Sequence, residues 1–138
     1  MIRAAAALAA TLALSGCFVY ADPDPKPVRN AAPYISFAEA GCEPDRAYND
    51  FVWWFDADIE DADGANDVSE VYVDVYDGWT GEWVDGFPLD PVGGVTWYSA
   101  WVGGSTYLDC TYPDYEVDFT AVDIFGATDL VTVIPYTW

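Results

Sequence analysis

From Tyr34 onward the chain alternates between apolar and polar positions with a period of two, the signature of β-strands that bury one face. Phe51, Trp53 and Phe55 fall on one face of a predicted strand over 50–57. Val71, Val73 and Val75 share a face of the next, over 69–77, with Tyr72, Asp74 and Tyr76 opposite. Over 114–124, Tyr115, Val117, Phe119 and Ala121 alternate with Glu116, Asp118 and Thr120. The β-branched run Leu130–Ile134 predicts a short strand within 128–134. Further strands are predicted over 34–39, 82–87 and 95–102. In the last, Trp97, Ser99 and Trp101 share one face, Tyr98, Ala100 and Val102 share the other, and the pattern leaves open which is core. Turn pairs separate these runs: Asp77-Gly78, Thr80-Gly81, Gly93-Gly94 and Gly103-Gly104, with Pro91, Pro113 and Gly126 as further breakers. No stretch has a helical period. About seven short strands over residues 34–138 predict an all-β, immunoglobulin-like antiparallel β-sandwich.

Composition narrows the partners. The 138 residues suit one domain, and 53% hydrophobic with 17% aromatic content argues against disorder. Four basic residues face 24 acidic ones, a formal charge of −20. Such a surface repels nucleic acid, which is excluded as a partner, while metal cations and basic partners stay open. Acidity of this kind also serves solubility in a salty medium. Histidine is absent, so histidine-based catalytic triads and imidazole zinc ligands are excluded.

The N-terminus reads as a sorting device. Arg3 precedes an apolar run from Ala4 to Leu14, which is too short to span a membrane stably and ends in small residues, as in a secretory signal peptide. Leu14-Ser15-Gly16-Cys17 resembles a bacterial lipobox. The resemblance implies removal of residues 1–16 and lipidation of Cys17, and several acyl chains at about 0.8 kcal/mol per buried methylene make a lasting membrane anchor. Phe18 stands where an aspartate would resemble an inner-membrane retention signal, so the expected location is the bacterial outer membrane. Of three cysteines, lipidation of Cys17 leaves Cys42 and Cys110 to pair in an oxidising compartment. That bridge would contribute about 4 kcal/mol in the chain-entropy model. Residues 17–33, with Pro23, Pro25, Pro27 and Pro33, read as a semi-rigid spacer of extended backbone.

Two stretches resemble bacterial extracellular Ig-like and cadherin-like domains. Ala121-Val122-Asp123-Ile124-Phe125-Gly126-Ala127-Thr128 is similar to their "A-x-D-x-x-G-N" ending, with Ala127 where Asn is common. FDADIEDADG (55–64) is similar to their acidic "D-x-D-G" turn. The resemblance implies architecture and no reaction. With strands running alternately up and down, the acidic stretch and Asp123 fall at one end of the sandwich. Cys42 and Cys110 are expected in loops at the other, a bridge that differs from the core-crossing one of antibody domains.

FDADIEDADGANDVSE (55–70) offers Asp56, Asp58, Glu60, Asp61, Asp63, Asn66 and Asp67, all hard oxygen donors suited to calcium. An EF-hand fails on register: with Gly64 at loop position six, position one is Ile59 and the flanks are strands. Asp56, Asp58 and Asp63, closed by Asp123, are the preferred ligand set. The competing reading is a solvated acidic turn built on Asp63-Gly64.

No catalytic residues are assigned. Ser99 and Ser105 have no histidine to activate them, and the GGS at 103–105 lacks the lysine and helix of a phosphate-binding loop. The expected function is a non-enzymatic, lipid-anchored envelope protein with one interaction or structural module. The alternative is a carbohydrate- or peptide-binding module using exposed Trp and Tyr.

Overall fold

The computed structural model describes residues 29–47 and 49–137. The signal peptide, Cys17 and most of the spacer lie outside the described residues. Eight strands form: β1 (Tyr34–Asp45), β2 (Asp50–Glu60), β3 (Val68–Asp77), β4 (Trp83–Pro88), β5 (Asp90–Gly93), β6 (Thr96–Val102), β7 (Tyr115–Asp123) and β8 (Thr128–Val133). They make two four-stranded sheets, ordered β1-β2-β6-β5 and β4-β3-β7-β8, with every pairing between these strands antiparallel. This order is that of an immunoglobulin-like sandwich, in which the chain crosses between the sheets after β2, β4 and β6. Among the described residues no helix is long and apolar enough to cross a membrane.

The alternation selects the core directly. Trp53, Phe55, Ala57 and Ile59 from β2 meet Val71, Val73 and Val75 from β3 and Val117, Phe119 and Ala121 from β7, all buried. Phe55 stacks on Phe87 at 5.1 Å and meets Phe119 edge-on at 6.5 Å. In β6 the inward face is Trp97, Ser99 and Trp101, because these pair with the inward Ala57, Phe55 and Trp53 of β2. The small Ser99 stands beside the large Phe55, which keeps the layer thickness even.

Two locks hold the end of the sandwich where β1 finishes and β7 begins. The disulfide joins Cys42 and Cys110, with Cα atoms 5.8 Å apart and a sequence separation of 68. Cys42 pairs with Trp53 in the β1–β2 register. Contrary to the expectation of a loop position, Cys42 lies within β1, because that strand runs on to Asp45 rather than stopping at 39. The second lock is Tyr115, at the start of β7. Its hydroxyl accepts a 3.0 Å hydrogen bond from the Asp109 backbone N–H six residues upstream, the tyrosine-corner arrangement of Ig-like sandwiches. Its ring sits edge-on to Trp53 at 5.8 Å.

The eighth strand, β5, escapes sequence detection because it is only four residues long, carries Pro91 and lies at a sheet edge, where no alternation is enforced. The opposite side is closed by the C-terminal segment. Tyr136 runs parallel to β1, accepting from Cys42 N–H at 2.9 Å and donating its own N–H to the Ala40 carbonyl at 3.0 Å. This pairing covers an edge that would otherwise be open to association.

Candidate metal centre

The acidic loop leaves β2 at Asp61 and folds back at once. Asp61 Oδ1 accepts from the Asp63 N–H at 2.8 Å, and the Asp61 carbonyl accepts from the Gly64 N–H at 3.1 Å. Gly64 takes φ of 122°, a value that disfavours any side chain. A short 3₁₀ turn over Ala65–Asp67 follows and leads into β3. The result gathers Asp61, Asp63 and Asp67, with one carboxylate oxygen from each within 4.8 Å of the others.

Asp123 comes from the last residue of β7. Its carboxylate is only 2% exposed, and its Oδ1 accepts from the Phe125 and Ala127 N–H groups, both at 2.8 Å. These bonds fold the β7–β8 turn. That turn is tied to the acidic loop through the Ile124 N–H, which donates to the Asp67 carbonyl at 2.8 Å.

The segment before β1 completes the end. Asn30 Nδ2 donates to Asp123 Oδ2, and the Ala31 N–H donates to Asp63 Oδ2 at 2.7 Å. The point where the spacer meets the domain is thus held by one carboxylate from each of two loops.

Electrostatics divide these acids. Asp123 is held below the ordinary carboxylate range, first by the Asn30 amide and then by backbone N–H groups of its own turn. Asp67 is pushed up, first by loss of solvent and then by the negative charges of Asp61, Asp63 and Asp123. Two further oxygens are enclosed without any hydrogen-bond partner, Asp61 Oδ2 and Asn30 Oδ1. An unpartnered carboxylate oxygen in a cluster of like charges is a place where a hard cation lowers the energy. The donor set is all oxygen, which fits calcium rather than a softer metal.

Of the predicted ligands, Asp63 and Asp123 reach this end and Asp56 and Asp58 do not. The reason is that β2 extends to Glu60, so both residues sit inside a strand, on the face opposite Phe55 and Ala57. Asp58 accepts from the Thr96 hydroxyl at 2.6 Å. Asp56 lies opposite Glu39 of β1 and is pushed up by burial, then by Asp58 and Glu39. Asp61 and Asp67 were within the pool of loop donors that the sequence offers. Asn30 had no signal, being an ordinary residue in a proline-rich segment. Comparison with family models, with curated proteins and with solved structures finds no match to this chain.

Proposed function

We propose that the chain is a non-enzymatic, lipid-anchored protein of a bacterial cell envelope, held in the outer membrane through Cys17. It presents one Ig-like module for interaction or structural support. Calcium, bound by Asp61, Asp63 and Asp67 beside Asp123, clamps the point where the spacer joins that module. The observation that carries this reading is the pair of hydrogen bonds from Asn30 and Ala31 to Asp123 and Asp63. They bring the approach to β1 onto the same end as the acidic cluster, so an ion there would set the angle of the module on its anchor. Supporting the anchor are the apolar leader and the Leu14-Ser15-Gly16-Cys17 stretch; supporting an exported location is the Cys42–Cys110 disulfide.

Two measurements test it. Full-length protein expressed in a bacterium should partition into the detergent phase and lose that behaviour in Cys17→Ala; equal partitioning of both would refute the anchor. The purified domain should melt higher in millimolar calcium than in EDTA. Binding to the folded state alone stabilises by about 2.7 kcal/mol at a ligand concentration one hundred times Kd. An unchanged midpoint would refute the clamp.

A further inference from the structure

Two tryptophans are left in solvent on the side of the molecule formed by β4-β3-β7-β8, and both are fixed. Trp79, in the turn between β3 and β4, is 81% exposed. Its backbone N–H donates to Asp77 Oδ1 at 2.8 Å, and its indole Nε1–H donates to Asp114 Oδ2 at 3.1 Å. Trp83, at the start of β4, is 56% exposed, and its Nε1–H donates to Asp74 Oδ1 at 2.8 Å. An indole normally gains by burying its rings and hydrogen-bonding its N–H. Here each N–H is satisfied by a carboxylate while the Trp79 ring stays in solvent and the Trp83 ring, partly over Gly86, keeps more than half of its surface open.

Between the two indoles the outer face of the sheet is acidic and aromatic. Tyr76 lies opposite Glu116, and Asp74 lies opposite Asp118. Like charges placed directly across a strand pair are unfavourable, and this pair has no basic residue among its strand neighbours. The Tyr76 phenol is raised by burial and then by Asp74 and Asp118, which agrees with a concentration of negative charge on this face.

Beside Trp79 is a surface groove lined by Gly78, Pro113, Asp114, Glu116 and Ile134. Three of its positions offer no free donor at these groups. The Gly78 N–H is taken by the Asp114 carbonyl at 2.7 Å, the indole N–H by the Asp114 carboxylate, and Pro113 has none. What the groove offers is an aromatic face and carboxylates, all of which attract a cation and accept hydrogen bonds.

The opposite sheet is equally acidic, with Glu39, Asp56 and Asp58 facing outward. Its Trp54, however, lies on Gly41, where an added Cβ would come within 2.7 Å of the ring. That ring is used against its own neighbouring strand. Charge alone therefore does not distinguish the two faces, and the solvent-exposed Trp79 indole does.

We propose that the groove at Trp79, continued along the sheet to Trp83, is a docking site for a lysine- or arginine-bearing segment of a partner polypeptide. A cationic side chain lies over the Trp79 ring and is hydrogen-bonded by Glu116, with Asp118 and Asp74 receiving the next one along. The site does not depend on the anchor or on calcium.

The test titrates the ¹⁵N-labelled domain with a tetra-arginine peptide, reading the indole N–H signals by NMR. Trp79 and Trp83 should shift, and Trp54 should not. Glu116→Gln and Trp79→Ala should each weaken binding about five- to tenfold, with melting midpoints unchanged. The charge-matched Glu39→Gln on the opposite face should change it less than about twofold, as expected for a distant rim charge. Equal weakening by Glu39→Gln and Glu116→Gln would mean diffuse attraction to a polyanion and would overturn the site. Absence of indole shifts would overturn it too. So would Trp79 responding to neutral oligosaccharides and not to the peptide. Because Glu116 is exposed and outside the core, Glu116→Gln keeps the test decisive even if Trp79→Ala perturbs the turn.

Discussion

The two ends of this sandwich use aspartate differently, apart from Asp123, which at the spacer end builds its turn as its counterparts at the disulfide end do. At the disulfide end each key carboxylate is a hydrogen-bond hub. Asp77 accepts from the backbone N–H groups of Trp79 and Thr80 and from the Tyr112 hydroxyl. It is held below the ordinary range, first by the Thr80 bond and then by Tyr112. The same bond pushes the Tyr112 phenol up to about 12. Asp109 is likewise lowered by the Thr111 backbone and side chain. At the spacer end, Asp61, Asp63 and Asp67 face one another, and Asp67 is raised. Acidic residues whose lone pairs meet N–H groups are turn-builders and need nothing more. Those whose lone pairs meet other carboxylates leave a deficit that a cation would relieve.

The comparison can be broken first at its strongest point. Replacing both Cys42 and Cys110 with alanine should cost about 2–5 kcal/mol, seen as a large fall in melting midpoint. The calcium response should survive, because the two ends share no residues and their effects should add. Loss of the calcium shift in the double variant would show that the ends are coupled.

Gly78→Ala should come next. Its Cβ would stand 2.6 Å from the Asp114 carbonyl oxygen, forcing the β3–β4 turn away from the start of β7. A cost of about 1–3 kcal/mol is expected by denaturant unfolding, together with a displaced Trp79 indole signal. A neutral substitution would mean that the close approach of these two segments does not hold the indole.

The subtlest effect is a sign reversal with pH and metal. The lowered groups, Asp77, Asp109 and Asp123, contribute stability that is fully present above the unfolded carboxylate value and lost as pH falls through their depressed folded values. The raised Asp67 works the other way. Its charge opposes folding above its folded pKa, and that penalty is relieved as pH falls through this value towards the unfolded one. In EDTA, mild acidification should therefore first raise the melting midpoint slightly before deeper acid lowers it. Asp67→Asn should diminish the rise, the raised Asp56 supplying the remainder, and melt above the parent protein in EDTA, yet below it in calcium. The same order in both buffers would refute a metal role for Asp67.

Much of this architecture was legible from single residues. The alternations Trp53–Phe55, Val71–Val75 and Tyr115–Ala121 named the core faces, because a strand repeats every two residues and only one face is covered; Phe51, expected on the same core face, is exposed because it sits at the start of β2, beyond the packed layer. Cysteine arithmetic named the disulfide. The Asp63-Gly64 pair named the sharp turn, since its geometry is local. By contrast, the expected placement of Asp56 and Asp58 at the acidic end failed because strand ends are set by partner length. Tyr34 pairs with Glu60, and this pairing carries β2 past both aspartates and turns them outward.

What the sequence by itself determined, then, is everything with a short period or a local rule: strand faces, turn positions, the acidic loop, and a formal charge of −20. Only the tertiary structure decided which carboxylates meet. Asn30 and Asp123 are 93 residues apart, and Trp79 and Asp114 are 35 apart. Such contacts are fixed by the order of strands and the lengths to which they pair, and no local pattern encodes either quantity. The inward face of β6 was settled in the same way, by its register with β2, because both of its faces are apolar enough to serve.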